Sequence, residues 1–258
     1  MRDGVKALVF GSLDAVCDTS GLRLEAINRA FRECGMDWTW DADTFASLQR
    51  IPGGRHRLRW YAEHVIGGPI PMSLADRLHW REGRLLADLI GEGRCALRPG
   101  VLRLMDEAES ADVALALVTG PSAVALDSIE AAFGDPFRLA RFRLIVDQGE
   151  AVTAPESAIY LQALRALGCR PERAVVIEDT ELFTRAANEA GVACIGTPTA
   201  LSLGQDFTGA RACVSHLGDP GLPAEHRSGT VVIDRGLVTL DRLDGVVRCP
   251  RRPSRSRA

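Results

Sequence analysis

The chain contains the stretch Lys6-Ala-Leu-Val-Phe10, which is followed directly by Gly11-Ser-Leu-Asp-Ala-Val16. The first segment is an unbroken apolar, β-prone run, which is typical of a strand buried on both faces of a parallel sheet. A second apolar run, residues 174–177, ends in Glu178 and Asp179. In open parallel sheets, ligands bind beyond the carboxyl ends of the strands, near the point where the strand order reverses. We therefore expect a site at these two strand ends, of which only one carries a carboxylate directly after the strand.

The composition restricts the class of protein. The 258 residues, 46% of them hydrophobic, are enough for one α/β domain with a smaller second domain. A net charge of −3 gives no reason to expect nucleic acid or an acidic membrane surface as a partner. The apolar runs are too short to span a bilayer, and the first residues lack the pattern of a signal peptide. We expect a cytoplasmic protein.

The cysteine pattern agrees with that location. The chain has seven cysteines and no C-x-x-C pair, which predicts reduced thiols rather than a disulfide framework. Cys17 is the one cysteine that follows the first strand end. A packed, inert thiol is favoured there over a reactive one, because a reactive cysteine needs a basic neighbourhood.

A long segment between the first strand and residue 97 lacks any strand pattern. Apolar residues recur there at helical spacing, as in Leu22, Ala26 and Ile27, which predicts a helical insertion. All four tryptophans lie in this segment, and we expect them to pack its core. The insertion also contains a compact basic turn, Pro52-Gly-Gly-Arg-His-Arg57.

Strands and helices alternate in the remainder of the chain. We predict strands at residues 113–118, 142–146, 174–177 and 192–195, and helices at 155–167 and 181–190. This alternation predicts a doubly wound parallel sheet of the α/β class. Two further apolar segments, residues 230–234 and 236–240, predict a small hairpin. The predicted organisation is an α/β core domain (1–18 and 98–246), a helical cap domain (19–97) and a disordered basic tail (247–258).

The order of these segments resembles the haloacid dehalogenase-like (HAD) hydrolases, and more closely the CbbY-type sugar-phosphate phosphatases. The resemblance implies a Rossmannoid core with a helical cap inserted after the first strand. Each matching segment is weak alone, and their common order makes them specific. The matching segments are Ala7–Phe10 with Asp18-Thr19, residues 26–31 with 35–38, 53–57, 97–101, 115–119, 176–180, 186–187 with 190–191, and 206–210.

The family mechanism implied by the resemblance is phosphoryl transfer to an aspartate with Mg²⁺. Aligned without a gap from Phe10 to Asp18, the nucleophile position is occupied by Gly11 and the acid/base position by Leu13. The family motif Lys-Pro-x-Pro-x-x-Tyr matches residues 154–160, and its lysine is replaced by Ala154. The resemblance therefore implies that three catalytic side chains are missing.

Other family positions are retained. Thr119 stands at the phosphate-binding hydroxyl, and Glu178 and Asp179 stand at the metal-binding acids. Arg55 and Arg57 correspond to the basic residues of the cap that recognise a distal phosphate. We expect Mg²⁺ binding to be weak or absent, because a carboxylate is missing at position 11. Simpler roles stay open, namely a helix cap for the threonine, a vestigial acidic pair and a solvated basic loop.

Two functions follow. The first is a catalytically inactive or strongly impaired pseudo-phosphatase that binds a phosphorylated small metabolite or has a regulatory role, its protein partner unknown. The second is an active Mg²⁺-dependent sugar-phosphate phosphatase that uses substitute residues around Ser12, Asp14 or Asp18. A one-residue bulge would bring Ser12 to the nucleophile position and Asp14 to the acid/base position. That alignment does not restore a lysine at Ala154.

Overall fold

The sheet has seven strands in the order β3-β2-β1-β4-β5-β6-β7. A computed structural model describes residues 4–119, 123–147 and 156–248. Strands β1 to β6 are parallel, and β7 runs antiparallel to β6. The strands are β1 (Ala7–Phe10), β2 (Ala114–Thr119), β3 (Leu144–Asp147), β4 (Ala174–Glu178), β5 (Ala193–Gly196), β6 (Ala212–Val214) and β7 (His226–Gly229). The predicted α/β fold class is confirmed.

The helices lie between these strands. They are α1 (Ser20–Glu33), α2 (Ala42–Leu48), α3 (Gly54–Tyr61), α4 (Met72–Gly91), α5 (Val101–Ser110), α6 (Ala123–Phe133), α7 (Ser157–Ala166), α8 (Glu181–Glu189) and α9 (Leu240–Arg248). Helix α3 continues into a π-helical turn, Ala62–Ile66. Within the ranges given above, no helix is long and apolar enough to cross a bilayer.

The central strand β1 explains why the first segment of the sequence is continuously apolar. All four of its residues are buried. Leu8 and Phe10 join one hydrophobic cluster, and Ala7 and Val9 join a second cluster on the opposite face. Alternate strand residues point to opposite faces, so a strand covered on both sides must be apolar throughout. Because β2 and β4 flank β1, the strand order reverses just beyond Phe10.

The predicted cap consists of helices, as the sequence indicates. The longest helix, α4, packs against both α1 and α6, so apolar residues of the insertion and of the sheet layer form one continuous cluster. Trp38 and Trp40 pack against Phe31 as predicted. The prediction is wrong for Trp60 and Trp80, which are 38% and 65% exposed on α3 and α4. We keep the names cap (19–97) and core (1–18 and 98–246) for these predicted regions.

The predicted hairpin at residues 230–240 is wrong. This segment forms a 3-10 turn at Asp234–Gly236 and leads into α9. Its apolar residues Ile233 and Val238 are buried against the core, which satisfies the alternation without strand pairing. The antiparallel pair at this edge is β6 with β7 instead. Helix α9 continues to Arg248, and residues 249–258 of the predicted tail lie outside the described residues.

Candidate active site

The predicted strand ends meet at one edge of the sheet. Phe10 of β1 is paired with Leu117 of β2 on one side and with Ile177 of β4 on the other. The backbone N–H of Gly11 donates to the carbonyl oxygen of Ile177 at 2.9 Å. Thr119 is the last residue of β2 and lies at the same edge. Ala154, the position of the family lysine, falls outside the described residues.

The space beside Gly11 is filled by another side chain. A Cβ atom built at Gly11 would lie 1.5 Å from Oε1 of Glu178 and 2.3 Å from its Cδ. Atoms without a bond between them do not approach so closely, so any side chain at position 11 requires Glu178 to move. The carboxyl group of Glu178 therefore stands where the side chain of the family nucleophile would begin.

Glu178 is held in that position. It is fully buried, and the hydroxyl of Tyr160 donates a hydrogen bond to its Oε1. Its Oε2 is buried and has no hydrogen-bond partner among the described residues. Burial, followed by the adjacent charge of Asp179, raises the pKa of Glu178 well above its usual value, and this favours the neutral acid.

The turn after Gly11 is a 3-10 helix, Leu13–Ala15, and Ser12 is its N-cap residue. The Oγ of Ser12 accepts a hydrogen bond from the N–H of Ala15 at 3.0 Å. Leu13, at the family's acid/base position, is 2% exposed and packs in the hydrophobic cluster. The local structure thus buries an apolar side chain where proton transfer would need a polar one.

Asp179 forms a hydrogen bond with Ser12. The Ser12 hydroxyl donates to Oδ1 of Asp179 at 2.6 Å. Burial and the charge of Asp14 raise the pKa of Asp179 to about 6, although the Ser12 hydrogen bond and nearby arginines act in the opposite direction. Sequence reasoning did not identify this serine–carboxylate pair, since residues 12 and 179 are far apart in the chain.

Asp14 links the core to the cap. Its Oδ1 accepts hydrogen bonds from the N–H and hydroxyl of Thr19 at 2.7 and 2.8 Å, just before α1 begins. Its Oδ2 lies 3.6 Å from Nη1 of Arg23. The Nε of Arg23 lies 3.8 Å from Oε1 of Glu82 on α4. The carboxylate of Asp14 is therefore committed to the start of α1 and to a cap arginine, rather than directed at a reacting group.

The two predicted phosphate-binding arginines have different surroundings. Arg57 is partly buried, and its Nε has no hydrogen-bond partner among the described residues. Burial and the positive charge of Arg23 lower the pKa of Arg57 to about 10, while the charges of Glu82 and the site aspartates partly compensate. Arg55 forms an ion pair instead, with its Nε 2.9 Å from Oδ1 of Asp76. The structure thus brings Arg57 near Arg23 and pairs Arg55 with Asp76.

Arg23 and Glu82 are site residues that sequence reasoning missed. A usable signal was present, because each is a charged residue on an otherwise apolar helix face. Arg23 lies three and four positions before Ala26 and Ile27, and Glu82 lies between Leu78 and Leu85. A charge on the buried side of an amphipathic helix must find a partner, which often marks a functional cluster.

The acidic residues do not form a suitable magnesium site as they are arranged. Mg²⁺ requires near-octahedral coordination by oxygen atoms, several of them charged or supplied by water. Position 11 has no carboxylate, Glu178 favours the neutral acid and binds Tyr160, and Asp179 is engaged with Ser12. Among the described residues, no group of three or more His, Cys, Asp or Glu is arranged to hold a metal.

Comparison with known proteins identifies the family. Residues 8–191 match the profile of the haloacid dehalogenase-like hydrolases. The chain belongs to this family. Beta-phosphoglucomutase from Clostridium difficile, at 21% identity and a TM-score of 0.62, shares the fold.

Several relatives carry the name CbbY. The plasmid-encoded protein CbbY of Cupriavidus necator is 36% identical over 85% of this chain and 88% of its own length. The crystal structure of CbbY from Rhodobacter sphaeroides in complex with phosphate is 34% identical, with a TM-score of 0.74 over 82% of this chain and 94% of that one. A mutant of the same protein, in complex with xylulose-(1,5)-bisphosphate, is 33% identical with a TM-score of 0.74 over 84% and 98% of the two chains.

Proposed function

We propose that this protein is a pseudo-phosphatase of the HAD-like family. It binds a phosphorylated small metabolite of the sugar-phosphate class, and its turnover by the aspartyl-phosphate route is absent or strongly impaired. We place this binding or regulatory role in the cytoplasm, with Mg²⁺ bound weakly or not at all.

The carboxyl group of Glu178 beside Gly11 is the observation that supports this proposal most strongly. A family nucleophile must place a carboxylate oxygen against phosphorus, and here the required volume already contains the carboxyl group of Glu178, which accepts a hydrogen bond from Tyr160 and favours its neutral form. Leu13 offers no group that accepts or donates a proton. Residues that act as one catalytic unit lose nearly all of their effect when any member is removed, so the combined loss predicts little residual rate.

The arginines support a ligand-binding role. Arg57 has a buried guanidinium nitrogen that finds no partner in the described part of the chain, and it lies near the positive charge of Arg23. Guanidinium groups bind phosphate oxygens through charge-assisted, often bidentate hydrogen bonds. A phosphate anion between Arg23 and Arg57 would remove their mutual repulsion. The CbbY relative, crystallised with phosphate and as a mutant with a sugar bisphosphate, suggests the ligand class.

A second function rests on the pair formed by Ser12 and Asp179. The hydroxyl is hydrogen-bonded to a carboxylate whose pKa of about 6 would let it accept a proton near neutral pH. In this alternative, Ser12 Oγ attacks phosphorus while its proton passes to Asp179, the bond between phosphorus and the sugar oxygen breaks, and the sugar leaves as its alcohol with that proton. Water then attacks the phosphoserine, gives its proton to Asp179 and releases phosphate, and the Ser12 hydroxyl is restored. The protein would then be an active phosphatase with a substitute nucleophile.

Phosphate release from xylulose 1,5-bisphosphate, sugar monophosphates and p-nitrophenyl phosphate separates the two functions. The assay uses high protein concentration, with and without Mg²⁺, and compares the wild type with Asp179→Asn and Ser12→Ala prepared in parallel. The pseudo-phosphatase proposal predicts equal, contaminant-level rates for all three proteins. A wild-type rate that both variants lose would establish the serine alternative and overturn the proposal.

A further inference from the structure

The core and the cap are joined by two linkers that run side by side. The chain enters the cap through residues 16–19 and returns through residues 95–98. The backbone N–H of Arg98 donates to the carbonyl of Val16 at 2.9 Å, and Cys17 and Leu97 form an antiparallel bridge. Each linker carries one cysteine, Cys17 in the first and Cys95 in the second.

The two thiols are neighbours. The side chain of Cys17 is fully buried, and Cys95 lies two residues before Leu97, the residue that is bridged to Cys17. Cys95 is only partly buried, with its Sγ 4.0 Å from the carbonyl oxygen of Asp18. The contact with Cys95, together with burial, raises the pKa of the Cys17 thiol well above its usual value. Cys95 is therefore the thiol that a reagent in solution meets first, and Cys17 stands behind it.

We propose that Cys17 and Cys95 are a modification site, at which a low-molecular-weight disulfide such as oxidised glutathione forms a reversible disulfide between the two linkers. The Cys95 thiolate attacks the reagent and releases one glutathione thiolate, which leaves a mixed disulfide on Cys95. The thiol of Cys17 then loses its proton and attacks Cys95 Sγ, which releases the second glutathione. Two protein thiols are oxidised by two electrons, and one reagent disulfide is reduced to two thiols.

Such a bond would close the whole cap into one covalent loop. Cross-links that close long loops stabilise mainly by restricting the unfolded chain. The bond would also fix the two linkers against each other, so that the cap could not rotate about them. In a reducing cytoplasm the site would be oxidised only transiently, as expected of a regulatory disulfide. This inference does not depend on phosphate binding.

Peptide mapping tests the proposal on the full chain. The protein is incubated natively at graded ratios of oxidised to reduced glutathione, free thiols are alkylated after denaturation, and the protein is digested with trypsin without reduction. Cys17, Cys95 and Cys34 fall on separate peptides, residues 7–23, 95–103 and 33–50. The proposal predicts that peptide 7–23 becomes linked to peptide 95–103, and that reduction with dithiothreitol separates them.

Two variants provide the controls. Cys34→Ser removes another partly buried cap cysteine and should leave the link unchanged. Cys95→Ser should abolish the link and leave Cys17 unmodified, with the thermal midpoint of the reduced protein preserved. Oxidation should raise the thermal midpoint of the wild type but not that of Cys95→Ser. If Cys95 carries only glutathione while Cys17 stays alkylatable at every ratio, or if Cys17 links elsewhere, the proposal is wrong.

Discussion

The sheet edge at Gly11 and the cap arginines differ in the charge of the polar groups that they bury. At the sheet edge, Glu178 fills the space of the missing side chain and Asp179 is bonded to Ser12. On the cap, Arg57 retains a buried nitrogen without a partner in the described residues, and its pKa is depressed to about 10. Each region keeps a buried polar atom without a partner among the described residues, but Oε2 of Glu178 belongs to a carboxyl group that favours its neutral form, whereas Nε of Arg57 belongs to a cation. A carboxyl group that fills the space of a lost nucleophile does not attract a phosphate, whereas a guanidinium group does. We interpret the difference as loss of chemistry with retention of binding.

The largest effect is expected when a side chain is introduced at position 11, where Glu178 fills the space. Gly11→Asp should destabilise the fold by about 4 kcal/mol, because it combines overpacking against Glu178 with a buried carboxylate beside other acids. Chemical denaturation gives the free energy of unfolding. The matched comparison is Gly11→Ala in the wild type and in a Glu178→Ala background. A cost for Gly11→Ala that is equal in both backgrounds would contradict the close contact.

The next effect concerns the ionisation of Asp179. Its pKa is raised to about 6 in the folded state. Ionisation of Asp179 is therefore less favourable in the folded protein than in the unfolded chain, and it lowers the free energy of unfolding. Wild-type stability should therefore fall as the pH rises from about 4 to about 6, and stay low above that range. Asp179→Asn should be more stable than the wild type by up to about 3 kcal/mol at pH 8, and the difference should vanish near pH 4. A pH-independent difference would contradict the raised pKa.

A smaller effect is expected for substitution of the cap arginines. Arg57→Ala should weaken binding of xylulose 1,5-bisphosphate or inorganic phosphate roughly tenfold to a hundredfold, equivalent to about 1.5–3 kcal/mol. Arg55→Ala is the matched control and should change the affinity much less, because Arg55 is paired with Asp76. Isothermal titration calorimetry measures both. Equal losses of affinity for the two variants would contradict the prediction that Arg57 binds the phosphate and Arg55 does not.

The smallest effect is expected for Ser12→Ala. The substitution removes the cap on Ala15 N–H and the hydrogen bond to Asp179, which should cost about 1 kcal/mol in denaturant unfolding. The hydrogen bond from Ser12 stabilises the ionised form of Asp179, so its removal should raise the pKa of Asp179 above about 6. The pH profile of unfolding would then shift to higher pH. A shift to lower pH would contradict the assigned direction of that hydrogen bond.

Local patterns were sufficient to predict the sheet. The apolar run before Gly11 and its repetition at residues 174–177 predict buried parallel strands, because a strand covered on both faces has few alternatives. The prediction for residues 230–240 was wrong because the segment has apolar residues typical of strands, whereas Ile233 and Val238 are buried by packing against the core. Periodicity reports which residues face inward and does not report what they face.

The site could be predicted only in its sequence positions. Family motifs placed Gly11, Leu13, Glu178 and Asp179, yet the contacts that change their chemistry come from distant segments. The hydroxyl of Tyr160, on α7, donates a hydrogen bond to Glu178. Arg23 and Glu82 joined the site through helix packing, for which a charge on an apolar helix face was the only local indication.

A single ³¹P NMR experiment tests the central contrast most directly. Xylulose 1,5-bisphosphate is mixed with stoichiometric protein and Mg²⁺ and followed over hours, alongside Arg57→Ala and Asp179→Asn. We predict that the sugar phosphate resonances broaden or shift on binding, that Arg57→Ala reduces this change, and that no inorganic phosphate resonance grows in. An inorganic phosphate resonance that grows with the wild type and is absent with Asp179→Asn would contradict this prediction.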